Sequence, residues 1–209
     1  MKEYPTISGK RQDNITVYCF PKYDGSNIRV EWTSKKGFRK FGSRTCLIDE
    51  LSHDLGKLSI PLLRKEEKSI TQILKKTGVR EATLFWEFFG SESSFAGNHN
   101  FAATDHEVRL IDISVFQRGF LNPVDFIKLF ENYERVAPCI YHGKANEEFT
   151  RLVKTGKLEG QTFEGIVAKA NRSQPNCHEP VQFKIKSEAW IKQLHTRYAD
   201  RPDIIKEQM

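Results

Sequence analysis

The run Lys22-Tyr23-Asp24-Gly25 puts an amine beside a glycine, between two short apolar segments. A lysine at a strand end can be held rigidly with its amine facing a cleft, where it becomes a nucleophile once it loses its proton. The same residues also make an ordinary hairpin turn, with Asp-Gly doing the bending and Lys22 in solvent. Lys184 and Lys186 lie two apart in a strand-like run. The pleat therefore sends both ammonium groups to one face, and Phe183 and Ile185 to a core on the other. Two such lysines repel each other unless an anion sits between them. A phosphate would serve, and a solvated basic face is the plainer account.

Three further segments set a polar group among apolar ones. Glu87 stands within LFWEFFG, where a carboxylate is expensive to bury unless it is paired or hydrogen-bonded. In VRLIDISVF, strict alternation assigns Ile111, Ile113 and Val115 to one face. Leu110, Asp112, Ser114 and Phe116 fall on the other, where the Phe116 ring could stack on a base. In FEGIVAK, Glu164 opens a strand and Gly165 lets another group approach the backbone closely. Taken singly, each has a structural account as well: a buried ion pair, a core aromatic, a bulge.

The elements that must position these groups follow from periodicity. Strands are expected over 15–20, 27–33, 38–43, 82–89, 108–116, 163–169 and 181–187, with Lys35-Lys36-Gly37 turning a hairpin. Helices are expected over 61–77, from Asn122-Pro123, over 146–154 and over 188–198. Strands outnumber helices and are joined mainly by hairpins and loops, which predicts mixed α+β architecture with largely antiparallel sheets.

Among the 209 residues, 38% are hydrophobic and 29% charged, which describes a globular chain rather than a disordered one. No apolar run approaches the roughly 20 residues of a membrane span, and the polar start lacks the apolar core of a secretory leader. The chain therefore reads as soluble and cytoplasmic. A net charge of +6 favours an acidic partner, nucleic acid first. Cys19, Cys46, Cys139 and Cys177 are scattered, which fits free thiols better than a zinc site.

Taken together, these segments resemble the covalent nucleotidyltransferase superfamily, and most closely its RNA ligase branch. KYDGSN is similar to the motif whose lysine takes the nucleotide, which assigns that role to Lys22. FGSRT resembles the segment whose arginine, here Arg44, contacts the nucleotide and the incoming phosphate. By the same resemblance Glu87 would bind the ribose, Phe116 would stack on the purine, and Glu164 would be the metal-associated acid. Lys184 and Lys186 would contact the α-phosphate. The six motifs agree in order from Tyr18 to Ser187.

The resemblance implies an ATP-grasp-like nucleotidyltransferase domain, of largely antiparallel sheets flanked by helices, over residues 1–209 and without an appended oligonucleotide-binding domain. It implies ATP as donor, with magnesium or manganese, and a monomer acting on nucleic acid with 5′-phosphate and 3′-hydroxyl ends, RNA or an RNA-containing duplex. Pro21 departs from the acid that often precedes the nucleophile, so base recognition must rest on backbone or another side chain. The alternatives are a DNA nick ligase, a GTP-using capping-type enzyme, and a non-catalytic module that binds nucleic acid or nucleotide. Burial and the field of Lys184, Lys186 and a metal are expected to depress the pKa of Lys22. His99 and His106 could touch substrate.

Overall fold

The structure is a computed structural model that describes residues 1–51, 54–90, 105–173 and 180–209. Two antiparallel sheets face a shared cleft. The larger sheet runs β4 (Leu47–Ile48), β3 (Gly37–Gly42), β2 (Ser26–Thr33), β5 (Glu81–Phe89), β6 (Glu107–Val115) and β7 (Gly119–Phe120). The smaller runs β10 (Pro180–Lys186), β9 (Gly165–Ser173), β1 (Thr16–Pro21) and β8 (Tyr141–Lys144). Helices α1 (Asp54–Lys76), α2 (Pro123–Leu129), α3 (Glu147–Lys154), α4 (Glu188–Arg197) and α5 (Pro202–Gln208) complete the described elements. The mixed α+β architecture expected from the sequence is thus present. No described helix is long and apolar enough to cross a membrane.

Each sheet has its own core. Ile28, Val30 and Trp32 leave β2 on one face, fully buried, and meet Leu84 and Trp86 of β5 and Leu63, Ile70 and Leu74 of α1. Each such aliphatic side chain contributes about 2 kcal/mol by leaving water. On the smaller sheet Phe183 and Ile185 point away from the cleft and pack with Val17, Cys19, Ile166 and Ala168 against Phe149 and Val153 of α3. Asn122 and Asn146 cap α2 and α3 by accepting the backbone N–H of Asp125 and of Phe149.

Two local expectations are corrected. Helix α1 begins at Asp54, seven residues before Pro61, which sits inside it. An internal proline costs roughly 3 kcal/mol. Here Gly56, Ser59 and Ile60 extend the stripe buried by Leu63, Ile70 and Leu74, so burial carries the helix through. In β6 the alternation breaks. Trp86 pairs with Leu110 and its neighbour Phe85 with Asp112, leaving Ile111 as an extra residue opposite neither. This bulge lets Leu110 and Ile113, three apart, both enter the core, while Ile111 turns toward the cleft.

The cleft faces of the two sheets are joined by a buried ion pair. Lys169 of β9 donates to Asp112 of β6 at 2.7 Å and to the Ile111 carbonyl at 3.0 Å. Asp112 also accepts the Tyr4 hydroxyl at 3.1 Å and the Ile113 N–H at 2.9 Å. Removing one partner strands the other charge in the interior. Lys169→Met should therefore cost about 3 kcal/mol or more, a fall in Tm of roughly 6–12 °C in a chain of this size. Adding Asp112→Leu should recover part of that loss. Calorimetry that finds Lys169→Met within about 1 kcal/mol of wild type would show that the pair does not hold the sheets together.

Candidate active site

A cavity of about 510 Å³ opens between the sheets, lined by Lys22, Arg44, Glu87, Glu164 and Lys184 among others. That volume lies in the range of small-molecule sites. Lys22 follows β1 directly. Its N–H donates to the Gly165 carbonyl at 3.0 Å, and its own carbonyl accepts the Thr162 hydroxyl. The amine is thus delivered from a backbone held on both sides, rather than from a solvated turn. Two glycines permit the close approach of neighbouring strands. A Cβ on Gly25 would stand 2.2 Å from the Phe88 carbonyl oxygen, and one on Gly165 would stand 2.1 Å from that of Ile185. Gly165 also has φ +132°, a conformation that glycine alone adopts readily.

Glu164 is the hub. One carboxylate oxygen accepts the Lys22 amine at 2.9 Å and the other accepts the Lys186 amine at 2.9 Å, and the carboxylate itself is only 2% exposed. The anion expected between Lys184 and Lys186 is not found there; Glu164, a carboxylate of the protein, instead sits between Lys22 and Lys186. Lys186 lies against Glu164 and over the Trp190 ring, 3.6 Å from its centroid. Lys184 instead faces the cavity, its amine 3.4 Å from the Gln208 carbonyl. Burial lowers the Lys186 pKa to about 8, and burial with the charge of Lys22 lowers that of Lys184.

The expectation of a depressed Lys22 is not met. Burial pulls its pKa down, but the Glu164, Glu87 and Asp24 carboxylates outweigh burial, and the net shift is upward. The expectation weighed Lys184, Lys186 and a metal, and did not count these acids against the amine. Glu87, paired across β2–β5 with Asn27, is pushed up to about 8. Burial is the main cause; Glu164 and Asp24 add to it, and Lys22 opposes it. Near neutral pH Glu87 is therefore largely protonated and can donate a hydrogen bond. Asp24 is raised by burial and by Glu164, while the Trp190 indole N–H, 3.2 Å away, pulls it back.

Arg44 is exposed on the β3–β4 turn, 3.4 Å from the Thr6 hydroxyl. Phe116 does not reach the cavity. It lies in the turn just past the end of β6 at Val115 and is 61% exposed, beyond the paired strand that would have carried it to the cleft. Ile111 faces the cavity from that segment, with Val167 of β9 also in its wall. His106 stacks on Phe88 with ring centroids 4.8 Å apart, and His99 lies outside the described residues. Sequence reasoning passed over Lys169, Asn27 and the Tyr4–Ile7 segment, all of which line the cavity. Lys169 did leave a signal: it continues the alternation of Gly165 and Val167, opposite buried Ile166 and Ala168. Among the described residues no group of three or more His, Cys, Asp or Glu side chains is placed to hold a metal ion. Cys19, Cys46 and Cys139 are free thiols.

A strand-end lysine bound to a carboxylate, at the edge of a cavity walled by two antiparallel sheets, fits the covalent nucleotidyltransferase class. The chain belongs to the RNA ligase family, whose profile matches residues 15–192. Its fold is similar to that of Naegleria gruberi RNA ligase. A mutant of that ligase with ATP and manganese matches at TM-score 0.61 and 16% identity, over 87% of this chain and 52% of the other. The same ligase with pyrophosphate matches at TM-score 0.60 and 15% identity, over 95% of this chain and 60% of that one. The present chain thus spans little more than half the length of these structures. No curated protein matches the sequence significantly.

The raised Glu87 pKa carries a stability signature. A carboxyl whose folded pKa lies above its unfolded value binds its proton more tightly when folded, so it stabilises fully below about 4.5 and loses that contribution as pH rises toward 8. Asp24 is shifted in the same direction. Lys186 acts in the opposite direction and mainly above this window, because its contribution is lost as pH falls from 10.5 toward about 8. The Tm of the wild-type protein should therefore decline between pH 5 and 8, and Glu87→Gln should flatten the decline by roughly 3 °C or more. Parallel Tm curves for the two proteins would mean that Glu87 titrates like an ordinary carboxyl.

Proposed function

We propose that the chain is an ATP-dependent RNA ligase and that residues 1–209 act as one adenylation unit. The observation that carries this reading is the Lys22–Glu164–Lys186 arrangement at the cavity, with both contacts at 2.9 Å. A lysine kept merely for charge does not need a fixed backbone, a carboxylate partner and a second lysine behind that partner. Membership of the RNA ligase family supports the same reading, as does the likeness of the fold to a ligase solved with ATP and manganese.

In the proposed reaction Lys22 gives one proton to solvent and its lone pair attacks the α-phosphorus of ATP. The nitrogen–phosphorus bond forms, the bond to the bridging oxygen breaks, and pyrophosphate leaves with that oxygen. The nitrogen sheds its second proton, which leaves an uncharged N–H in a phosphoramidate whose phosphate keeps one negative charge. A 5′-phosphate oxygen of RNA then displaces Lys22 from the adenylyl group, and a 3′-hydroxyl displaces AMP to seal the strand. Lys184 and Arg44 neutralise phosphate charge from the cavity wall, while Lys186 offsets the charge of Glu164 beside it. Glu87, protonated and beside Asn27, is suited to a ribose hydroxyl. Ile111 and Val167 offer apolar surface to a base, in place of the aromatic stack assigned to Phe116.

The divalent ion belongs with the nucleotide. Magnesium binds through one or two carboxylates plus phosphates and water, and Glu164 with neighbouring Asp24 offers that donor chemistry. Bound there, the ion would supply charge neutralisation for the triphosphate.

The test is incubation with α-labelled ATP, GTP or NAD and magnesium, followed by denaturation and detection of labelled protein. Label should come from ATP. It should be absent in Lys22→Ala, and in Lys22→Arg, whose guanidinium stays protonated. Label retained in either variant would remove Lys22 from the role. Nicked RNA, DNA and hybrid duplexes offered to the labelled protein identify the strand it seals, and RNA is the expected acceptor.

The cavity geometry also ranks the lysines. Lys184→Ala should slow labelling at least tenfold, about 1.4 kcal/mol of barrier. Lys192→Ala, on α4, should leave it near wild type. Comparable losses at both positions would mean that net charge, not placement at the cavity, governs the rate.

A further inference from the structure

We propose that Trp190 is a positioning residue for the adenylation of Lys22, holding Asp24 through its indole N–H and Lys186 through its ring face. The inference rests on the adenylation reading above. Trp190 stands in the first turn of α4, fully buried, and none of the motifs discussed above includes it.

The junction between β10 and α4 is sewn to the hub. The Ser187 N–H donates to the Glu164 carbonyl at 3.0 Å, the Ser187 hydroxyl donates to the Phe163 carbonyl at 2.6 Å, and the Trp190 N–H donates to that hydroxyl at 3.1 Å. The indole is thereby fixed relative to Glu164. From there its Nε1–H reaches Asp24 at 3.2 Å, and its ring lies 3.6 Å from the Lys186 amine. A residue kept only to pack against Leu194 and Tyr198 would need neither contact. The aromatic face supplies a desolvated ammonium with favourable electrostatics in place of lost water. It also fixes the amine in place. Lys186 holds one oxygen of Glu164 and Lys22 holds the other, so a Lys186 free to swing would loosen the direction of the nucleophile. Misplacement by about 1 Å can cost on the order of a hundredfold in rate. The N–H on Asp24 holds that carboxylate on the α4 side, within the same ring of charges around Lys22.

The experiment is single-turnover labelling of Lys22 with α-labelled ATP and magnesium, read as a rate constant at saturating ATP and a half-saturating ATP concentration. Trp190→Leu should lower the rate constant by about tenfold or more, with half-saturation changed by less than about threefold. Trp190→Phe keeps a ring beneath Lys186 and should recover at least half of that loss on a logarithmic scale. Its remaining deficit and that of Asp24→Ala should combine to less than their product, because both remove the same hydrogen bond. Equal losses in Phe and Leu variants, a change confined to half-saturation, or fully multiplicative deficits would each overturn the inference. Unlabelled wild-type protein would overturn the adenylation reading instead. The Trp190 indole N–H resonance then decides the contact by itself. Asp24→Ala should shift it and speed its hydrogen exchange, and an unmoved resonance overturns the proposal.

Discussion

One buried carboxylate organises this molecule. Glu164 carries a single negative charge at a site almost without solvent, and it is tolerable there because two ammonium groups each take one of its oxygens. The constraint propagates outward. Lys22 must come off the end of β1 beside the Gly165 carbonyl, and Lys186 must come off β10 opposite Gly165, so β1, β9 and β10 have to be neighbours in this register. The smaller sheet is built around that requirement. Its far face supplies the apolar burial that holds it together, while its near face carries Lys169, Lys184 and Lys186.

The larger sheet answers with acids. Glu87 and Asp112 project toward the basic face, and Asp24 leaves the β1–β2 connection to join them. Of these, Asp112 is neutralised by the Lys169 pair, whereas Glu87 escapes much of the cost of burial by holding its proton. The same surplus of carboxylates keeps Lys22 protonated. A nucleotide entering such a site meets donors on every side: two lysines, an arginine and a neutral acid. On the proposed reading the cavity suits an anion carrying hydroxyl groups, and Glu164 holds the amine proposed to attack it.

Much of this was legible in the sequence wherever a local rule decided the outcome. Asn122 and Asn146 announced two helix starts, and the alternation of Phe183 and Ile185 with Lys184 and Lys186 gave both faces of β10. The failures share a cause, since each depends on contacts distant in sequence. Pro61 reads as a helix start, and only the buried stripe that precedes it carries α1 through. Leu110 and Ile111 read as cleft-facing and core until a bulge at Ile111 exchanges them, and nothing local marks that bulge, while Phe116 misses the cavity because β6 stops pairing at Val115. Trp190 reads as core, and it is core; its reach to Asp24, 166 positions away, comes from tertiary packing alone.

The two lysines of β10 look equivalent in sequence and are not equivalent in the fold. Lys186 is locked between a carboxylate at 2.9 Å and an indole ring, with almost no contact with water. Moving it would strand Glu164 with one partner, so it stays in place whatever enters the cavity. Lys184 lies partly exposed on the cavity wall, and its amine touches the Gln208 carbonyl at the long distance of 3.4 Å. A charge-assisted bond to phosphate is roughly twice as strong as one between neutral groups, and it outcompetes so long a contact. On the proposed reading Lys184 would follow an incoming phosphate, whereas Lys186 would supply a fixed field behind it. A strand that repeats lysine at every second position thus delivers one mobile charge and one stationary charge to the same few ångströms, and the difference is made by what α4 and α5 place against each.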